Sequence, residues 1–260
     1  MPEKQVTACV LIVGNEILSG RTKDANLPWL AEQLNAIGVQ VLEARVIPDV
    51  EATIVAAVNE VRTKFDYVFT TGGIGPTHDD ITAECVAKAF GVPLERNPEA
   101  VARLMSHYAN PADLNEARLR MANIPRGATL IDNPVSKAPG FAIGNVFVMA
   151  GVPRIMQAMF DGLKHRLAGG RPMLSRTVTS TVPEGKLALG LGEIQARHAG
   201  IEIGSYPYFR LGQFGTSIVV RGFEAGPLAA AAEEVKTLMR SFGGEPVEEM
   251  SASPALAIGG

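Results

Sequence analysis

The stretch Thr71-Gly72-Gly73-Ile74-Gly75-Pro76-Thr77-His78-Asp79-Asp80 has residue types and spacing suited to binding an anion. Glycine takes positive φ and lets a backbone approach a ligand closely. Successive N–H groups in such a turn form an anion nest, and a helix starting just after it adds a favourable dipole. Gly72, Gly73 and Gly75 meet the first requirement, Pro76 stiffens the turn, and Thr77 brings a hydroxyl. Asp79 and Asp80 stand at the expected helix start. Their charges repel phosphate, so a divalent cation of the magnesium type is the natural bridge. The plainer alternative has one aspartate capping the helix and the glycines only shaping a turn. The loop lacks both the Gly-Lys-Ser/Thr of a Walker A sequence and the Gly-x-Gly-x-x-Gly of a dinucleotide fingerprint.

Two more carboxylates come to the same edge. Glu16 follows the first expected strand and Asp49 the second. Each is either a cap or solvated charge, or joins Asp79 and Asp80 in an oxygen-ligand metal site. His78 lies in the loop, whereas His107, His165 and His198 fall in expected helices. No Ser/His/Asp or Cys/His arrangement is legible.

The elements that must position these residues alternate. Ala8-Cys9-Val10-Leu11-Ile12-Val13 is continuously apolar, as in a strand covered on both faces, and ends at Gly14. A helix follows with Pro28 near its start, a stripe of Leu27, Leu30, Leu34 and Ile37, and Gly38 to end it. Residues 39–47 read as the next strand. Asp49 is then a candidate N-cap for a helix with Val50, Ile54, Val58, Val61 and Phe65 on one face. Residues 67–70 form a third strand leading into the glycine loop, and a further helix runs from Asp80 or Ile81 to Gly91. Three strand–helix repeats predict a parallel sheet, whose ligands bind beyond the carboxyl ends of the strands.

Residues 97–127 read as helical, with Asn97-Pro98 as a start signal. A hairpin follows, 140–143 with 146–149, turning at Gly144-Asn145. Gly151-Val152-Pro153 leads into a helix ending near Leu167. Ala168-Gly169-Gly170-Arg171-Pro172 reads as a linker. The pattern beyond it is strand, helix, strand, strand, helix, a small split-βαβ domain. The predicted organisation is therefore a first domain over 1–168, a second over 173–250, and a frayed tail over 251–260.

The 260 residues are 47% hydrophobic and 20% charged, with a net charge of −3. That balance supports a sizeable core and no basic surface for nucleic acid. No run is long and apolar enough for a membrane span, and the first residues lack a signal-peptide pattern. A cytoplasmic location is expected. The two cysteines, Cys9 and Cys85, fit buried reduced thiols better than a disulfide or zinc site.

Several ordered motifs resemble the competence/damage-inducible protein A (CinA) family. They are Gly14-Asn15-Glu16-Ile17-Leu18-Ser19-Gly20 with Asp24-Ala25-Asn26, the glycine loop through Thr82, Asn133-Pro134-Val135-Ser136-Lys137-Ala138-Pro139-Gly140-Phe141, and Gly151-Val152-Pro153. The resemblance covers residues 6–168 strongly and extends to Gly204-Ser205-Tyr206-Pro207. It implies a three-layer α/β fold of the MoaB/Mog molybdopterin-binding type, a mostly parallel sheet with helices on both faces, plus the small α+β domain. The same domain type occurs in eukaryotic FAD synthases. The resemblance also implies catalytic roles for Asp49 and Asp80. Ligand contacts fall on Gly14, Asn15, Glu16, Gly72, Gly73, Gly75, Pro76, Thr77, Thr82, Ser136, Gly140, Gly151 and Pro153, and metal contacts on Asp79, Asp80, Asp49 and Glu16.

The chain departs from the family pattern at four places. Asn15 stands where Asp is usual, Ser136-Lys137 where Gly-Thr is usual, Ala150 where Pro is common and Ile155 where an acid is common. The first and last each remove a carboxylate. The amidohydrolase domain of full-length family members is not in this sequence, and its activity is not expected. Three readings stand side by side. One is a divalent-metal-dependent pyrophosphatase acting on ADP-ribose- or FAD-type nucleotides. The second is a molybdopterin cofactor assembly protein, either adenylyltransferase or carrier. The third is a non-catalytic binding module. All take a small phosphate-bearing ligand, and the family suggests a homo-oligomer.

Overall fold

The computed structural model describes residues 5–108, 110, 113–210 and 212–249. The chain divides into two units between Gly170 and Arg171. The tail expected to fray, 251–260, lies outside the described residues.

The first unit is built on a six-stranded sheet. Its strands are β1 (Val6–Val13), β2 (Val39–Ile47), β3 (Tyr67–Thr71), β6 (Thr129–Ile131), β7 (Gly140–Ile143) and β8 (Val146–Met149), in the order β2-β1-β3-β8-β7-β6. β2, β1, β3 and β8 run parallel, and β7 and β6 add antiparallel. The apolar run of β1 is buried on both faces, as its continuity predicts. One face carries α3 (Glu51–Lys64), α4 (Thr82–Phe90) and α5 (Pro98–Met105), which pack Ile54, Val58, Val61, Cys85, Val86 and Leu104 onto the sheet. The other carries α2 (Asn26–Ala36) and α7 (Pro153–Leu163), with Leu30, Leu34, Met156, Met159 and Phe160 inward. These are the three layers expected. Both cysteines are free and buried, and burial pushes each thiol up to about 11, so they are inert thiols in the core.

The hairpin of β7 and β8 turns at Gly144, φ 55°, and Asn145. Asn145 reaches back to donate through Nδ2 to the carbonyls of Arg62 and Phe65, each at 2.9 Å. Those carbonyls close the end of α3, where helix acceptors lack intrahelical partners. Asn145→Ala is therefore expected to lower stability by about 1–3 kcal/mol. The measurement is the urea midpoint at constant slope; no shift would show that solvent replaces both bonds.

The span 97–127, expected to be helical, is helical only in part. Asn97 does cap α5, accepting from the Ala100 amide at 3.0 Å, but that helix stops at Met105. Asn115 opens a second, four-residue helix, α6 (Glu116–Leu119), accepting from the Arg118 amide. A single 3-10 turn, Arg120–Ala122, then leads into β5 (Asn123–Pro125), which pairs with the short strand β4 (Leu94–Arg96). The described residues of this span are divided among α5, α6, the 3-10 turn and β5, because a second capping asparagine restarts the helix.

The second unit contains β9 (Leu174–Ser180), α8 (Glu184–Arg197), β10 (Ile201–Arg210), β11 (Gln213–Gly222), α9 (Ala225–Ser241) and β12 (Val247–Glu249). Its sheet order is β10-β11-β9-β12, antiparallel throughout. This is the split-βαβ arrangement, with Leu228, Ala232, Val235 and Met239 of α9 buried against the sheet. β10 and β11 pair along their whole length, from Ile201 opposite Gly222 to Arg210 opposite Gln213. Among the described residues no helix is long and apolar enough to cross a membrane.

Candidate anion-binding site

The carboxyl ends of β2, β1, β3 and β8 lie side by side, and the chain segments leaving them are tied to one another. The Gly14 amide donates to Ile47 O at 3.1 Å, and the Gly72 amide to Met149 O at 3.2 Å. The Asn15 amide donates to Asp49 Oδ2 at 2.8 Å. Asn26 Nδ2 donates to Gly151 O at 2.7 Å, and Gly151 lies against Gly72. Gly14, Asn15, Glu16, Asp49, Gly72, Gly151 and Pro153 thus share one edge of the sheet, as the parallel topology requires.

At Gly72 φ is 100° and at Gly73 it is 67°. A Cβ on Gly72 would sit 2.2 Å from Val13 O, and one on Gly73 would sit 2.1 Å from Thr82 Oγ1. Thr82 is buried and holds the loop from beneath. Its hydroxyl donates to Gly72 O at 3.0 Å and its amide to Gly73 O at 3.0 Å. Thr82 is therefore part of the scaffold rather than of the exposed surface.

The outer part of the loop closes on Thr77. Its amide donates to Asp80 Oδ2 at 2.8 Å, and its hydroxyl lies 2.6 Å from Asp79 Oδ1 and 2.5 Å from Asp80 Oδ2. A hydroxyl has one proton, so it serves one carboxylate at a time. The two carboxylates consequently converge with more negative charge than the loop neutralises. Asp79 remains ionised, because the Thr77 hydroxyl and then its own amide hold its carboxyl below the usual range.

Asp80 does not cap α4. The N-cap position is Ile81, with no side-chain cap, and the helix begins at Thr82. Asp49 does not cap α3 either. That position is Val50, and Asp49 caps the four-residue helix α1 (Asn15–Leu18) across the sheet edge instead. Both aspartates act on segments other than those they precede, because their acceptors reach an amide with no helical partner.

The amides of Gly72 and Thr77 are used inside the fold. Those of Gly73, Ile74 and Gly75 donate to no protein group among the described residues. They border a cleft lined by Gly73, Ile74, Gly75, Asp80, Ala83, Glu84, Leu94, Arg120, Met121, Asn123, Ile124, Pro139 and Phe141. The lining combines polar backbone, two carboxylates and a guanidinium with apolar side chains, the composition of a small-molecule cleft.

Of the residues named from sequence, Gly73, Gly75 and Asp80 line this cleft, and Pro76, Thr77 and Asp79 lie on the outer loop beside it. Ser136 is held by Asn133, whose Nδ2 donates to Ser136 Oγ at 2.7 Å while its Oδ1 accepts from the Ser136 amide at 3.1 Å. Gly140 opens β7 where a Cβ would meet Val148 O at 2.2 Å, which is a packing requirement. Glu16 is exposed over Gly14, and Asp49 is tied to Asn15. Among the described residues, no three His, Cys, Asp or Glu side chains form a group able to hold a metal ion. The carboxylates that converge beside the cleft are Asp79 and Asp80, both within reach of the Thr77 hydroxyl. Magnesium accepts such a set, since one or two carboxylates with substrate phosphates suffice.

Arg120 is the residue that sequence reasoning missed. A helical reading of the whole span 97–127 gives it no defined place. The signal that would have found it is Asn115, a second N-cap within that span.

Residues 9–169 match the family model described as "Probable molybdopterin binding domain", and residues 172–243 match "FAD synthase, middle domain". A protein of Pyrobaculum calidifontis is 38% identical over 211 residues, covering 77% of this chain and 80% of its own length. A "CinA-like protein" of Myxococcus xanthus is 33% identical over 211 residues, covering 75% of this chain and 50% of its own. The crystal structure of the protein CinA with unknown function from Thermoplasma acidophilum is 35% identical, with a TM-score of 0.57. It covers 62% of this chain and 98% of that one.

Proposed function

Because the chain belongs to the molybdopterin-binding domain family over residues 9–169, we propose that its glycine-rich loop binds the phosphate of a pterin or nucleotide. The observation that carries this reading is the row of amides at Gly73, Ile74 and Gly75, which donate to no protein group among the described residues and border a cleft. Unsatisfied N–H groups beside a helix start favour an anion. The apolar lining, which includes Met121, Ile124 and Phe141, suits a flat ring system. The FAD-synthase-type second unit favours a nucleotide among such ligands.

The finer reading is hydrolysis of a pyrophosphate such as ADP-ribose or FAD. Asp79 and Asp80 would hold a divalent cation, which supplies charge neutralisation at a phosphoryl oxygen when bound. The loop amides would fix the phosphate, Thr77 would keep the two carboxylates together, and Asp49 would brace the neighbouring segment through Asn15. Cofactor assembly and a purely binding role are the alternatives.

Titration calorimetry with ADP-ribose, FAD and molybdopterin, with and without magnesium, separates them. Binding of at least one ligand is expected, with an anion against the Gly73–Gly75 amides in a soaked crystal. Formation of AMP from ADP-ribose only with added cation supports hydrolysis. Tight binding without turnover under any metal leaves the binding role. No binding of any of the three overturns the site.

A further inference from the structure

Arg120 lines the same cleft as Gly73, Gly75 and Asp80, and among the described residues it is the only basic side chain that does. Its guanidinium has no hydrogen bond or ion pair among the described residues. Two carboxylates, Asp80 and Glu84, line the cleft with it, yet neither takes it as a partner. Asp80 is committed to Thr77, and Glu84 is paired with Lys88 at 2.8 Å. Glu116, close in sequence, is engaged by Arg96 at 3.1 Å. The segment bearing Arg120 is nonetheless anchored, because Asn115 caps the helix before it and β5 after it pairs with β4.

We propose that Arg120 recognises a second phosphate of a ligand whose first phosphate meets the Gly73–Gly75 amides of the same cleft, and so makes the site select pyrophosphate-bearing ligands over monophosphates. The inference rests on the phosphate-binding reading of the glycine loop and adds the residue that would select for a second phosphate. One turn of amides with a helix start accommodates one phosphate. A second phosphate brings additional charge toward Asp79 and Asp80, which repel it unless a cation lies on the far side. The guanidinium fork matches phosphate oxygens in a bidentate fashion. Arg120 is bordered by carboxylates, hydrogen-bonds to none of them among the described residues and acts on Asp79 only through its charge, so its donors are available for a ligand.

The test is titration calorimetry with ADP and AMP as probes, at fixed ionic strength and constant magnesium, on the full chain and on Arg120→Gln and Arg120→Lys. The unsubstituted protein is expected to bind ADP more tightly than AMP. Arg120→Gln is expected to weaken ADP by about 10- to 100-fold, the loss of a charge-assisted hydrogen-bond pair, and to change AMP by less than about threefold. Arg120→Lys is expected to recover part of the ADP affinity. Arg120 is exposed and makes no internal bond among the described residues, so both variants should fold. Equal losses for ADP and AMP, or no loss for either, overturn the proposal while the loop remains a phosphate site. Failure of the unsubstituted protein to bind either nucleotide overturns the phosphate-binding reading and this inference with it.

Discussion

Gly72→Ala is expected to destabilise the protein by about 2–5 kcal/mol and to abolish phosphate-ligand binding, since a left-handed alanine costs about 1–2 kcal/mol and forced overpacking about 1–3 more. The new methyl would lie 2.2 Å from Val13 O. That carbonyl belongs to β1, which is hydrogen-bonded to β2 on one side and β3 on the other, so it cannot retreat cheaply. Moving Gly72 instead breaks its bond to Met149 O and shifts the amides that follow. Gly91→Ala is the control. It also has positive φ, 65°, but nothing lies within 4 Å of its added Cβ. Only the conformational cost of about 1–2 kcal/mol applies there, and ligand binding should be retained. Denaturant midpoints for both variants, with calorimetry on the folded fraction, check this. Equal destabilisation would show that the close approach to Val13 is relieved without cost.

Asp80→Asn is expected to reduce metal-dependent turnover of ADP-ribose on the order of 100-fold, the scale seen when one charge-stabilising group is removed from a reacting centre. The melting temperature should move little. Asparagine retains an oxygen to accept from the Thr77 amide, so the loop stays closed while the charge disappears. Asp80→Ala removes both and should loosen the loop as well. If hydrolysis is absent, the same charge loss appears as weaker magnesium-dependent binding. Turnover and magnesium response unchanged in Asp80→Asn would confine Asp80 to bracing Thr77.

Much of this molecule is written locally in its residues. The apolar run of β1, the stripe of Leu30 and Leu34, and the Gly144-Asn145 turn each follow from near-neighbour sterics and periodicity, and each occurs where the residues predict it. The glycine loop is legible for the same reason, because positive φ at Gly72 and Gly73 is a property of the residues themselves. Parallel alternation of strands and helices then places that loop at a carboxyl edge.

What the residues could not say depends on partners distant in sequence. Asp49 looks like a cap for the helix after it, yet its acceptor is taken by Asn15, 34 positions away. Asp80 looks like a cap for α4, yet it turns back to Thr77. Asn26 is one polar residue at a helix start until the fold sets it against Gly151, 125 positions on. Arg120 joins the cleft only because β5 pairs with β4 and brings its segment to the glycine loop. Sequence alone determines where a backbone can turn and which faces must be buried. Which charges are spent inside the fold, and which remain for a ligand, is decided by tertiary pairing, because a hydrogen-bond donor or acceptor has few sites and the first partner in reach takes them.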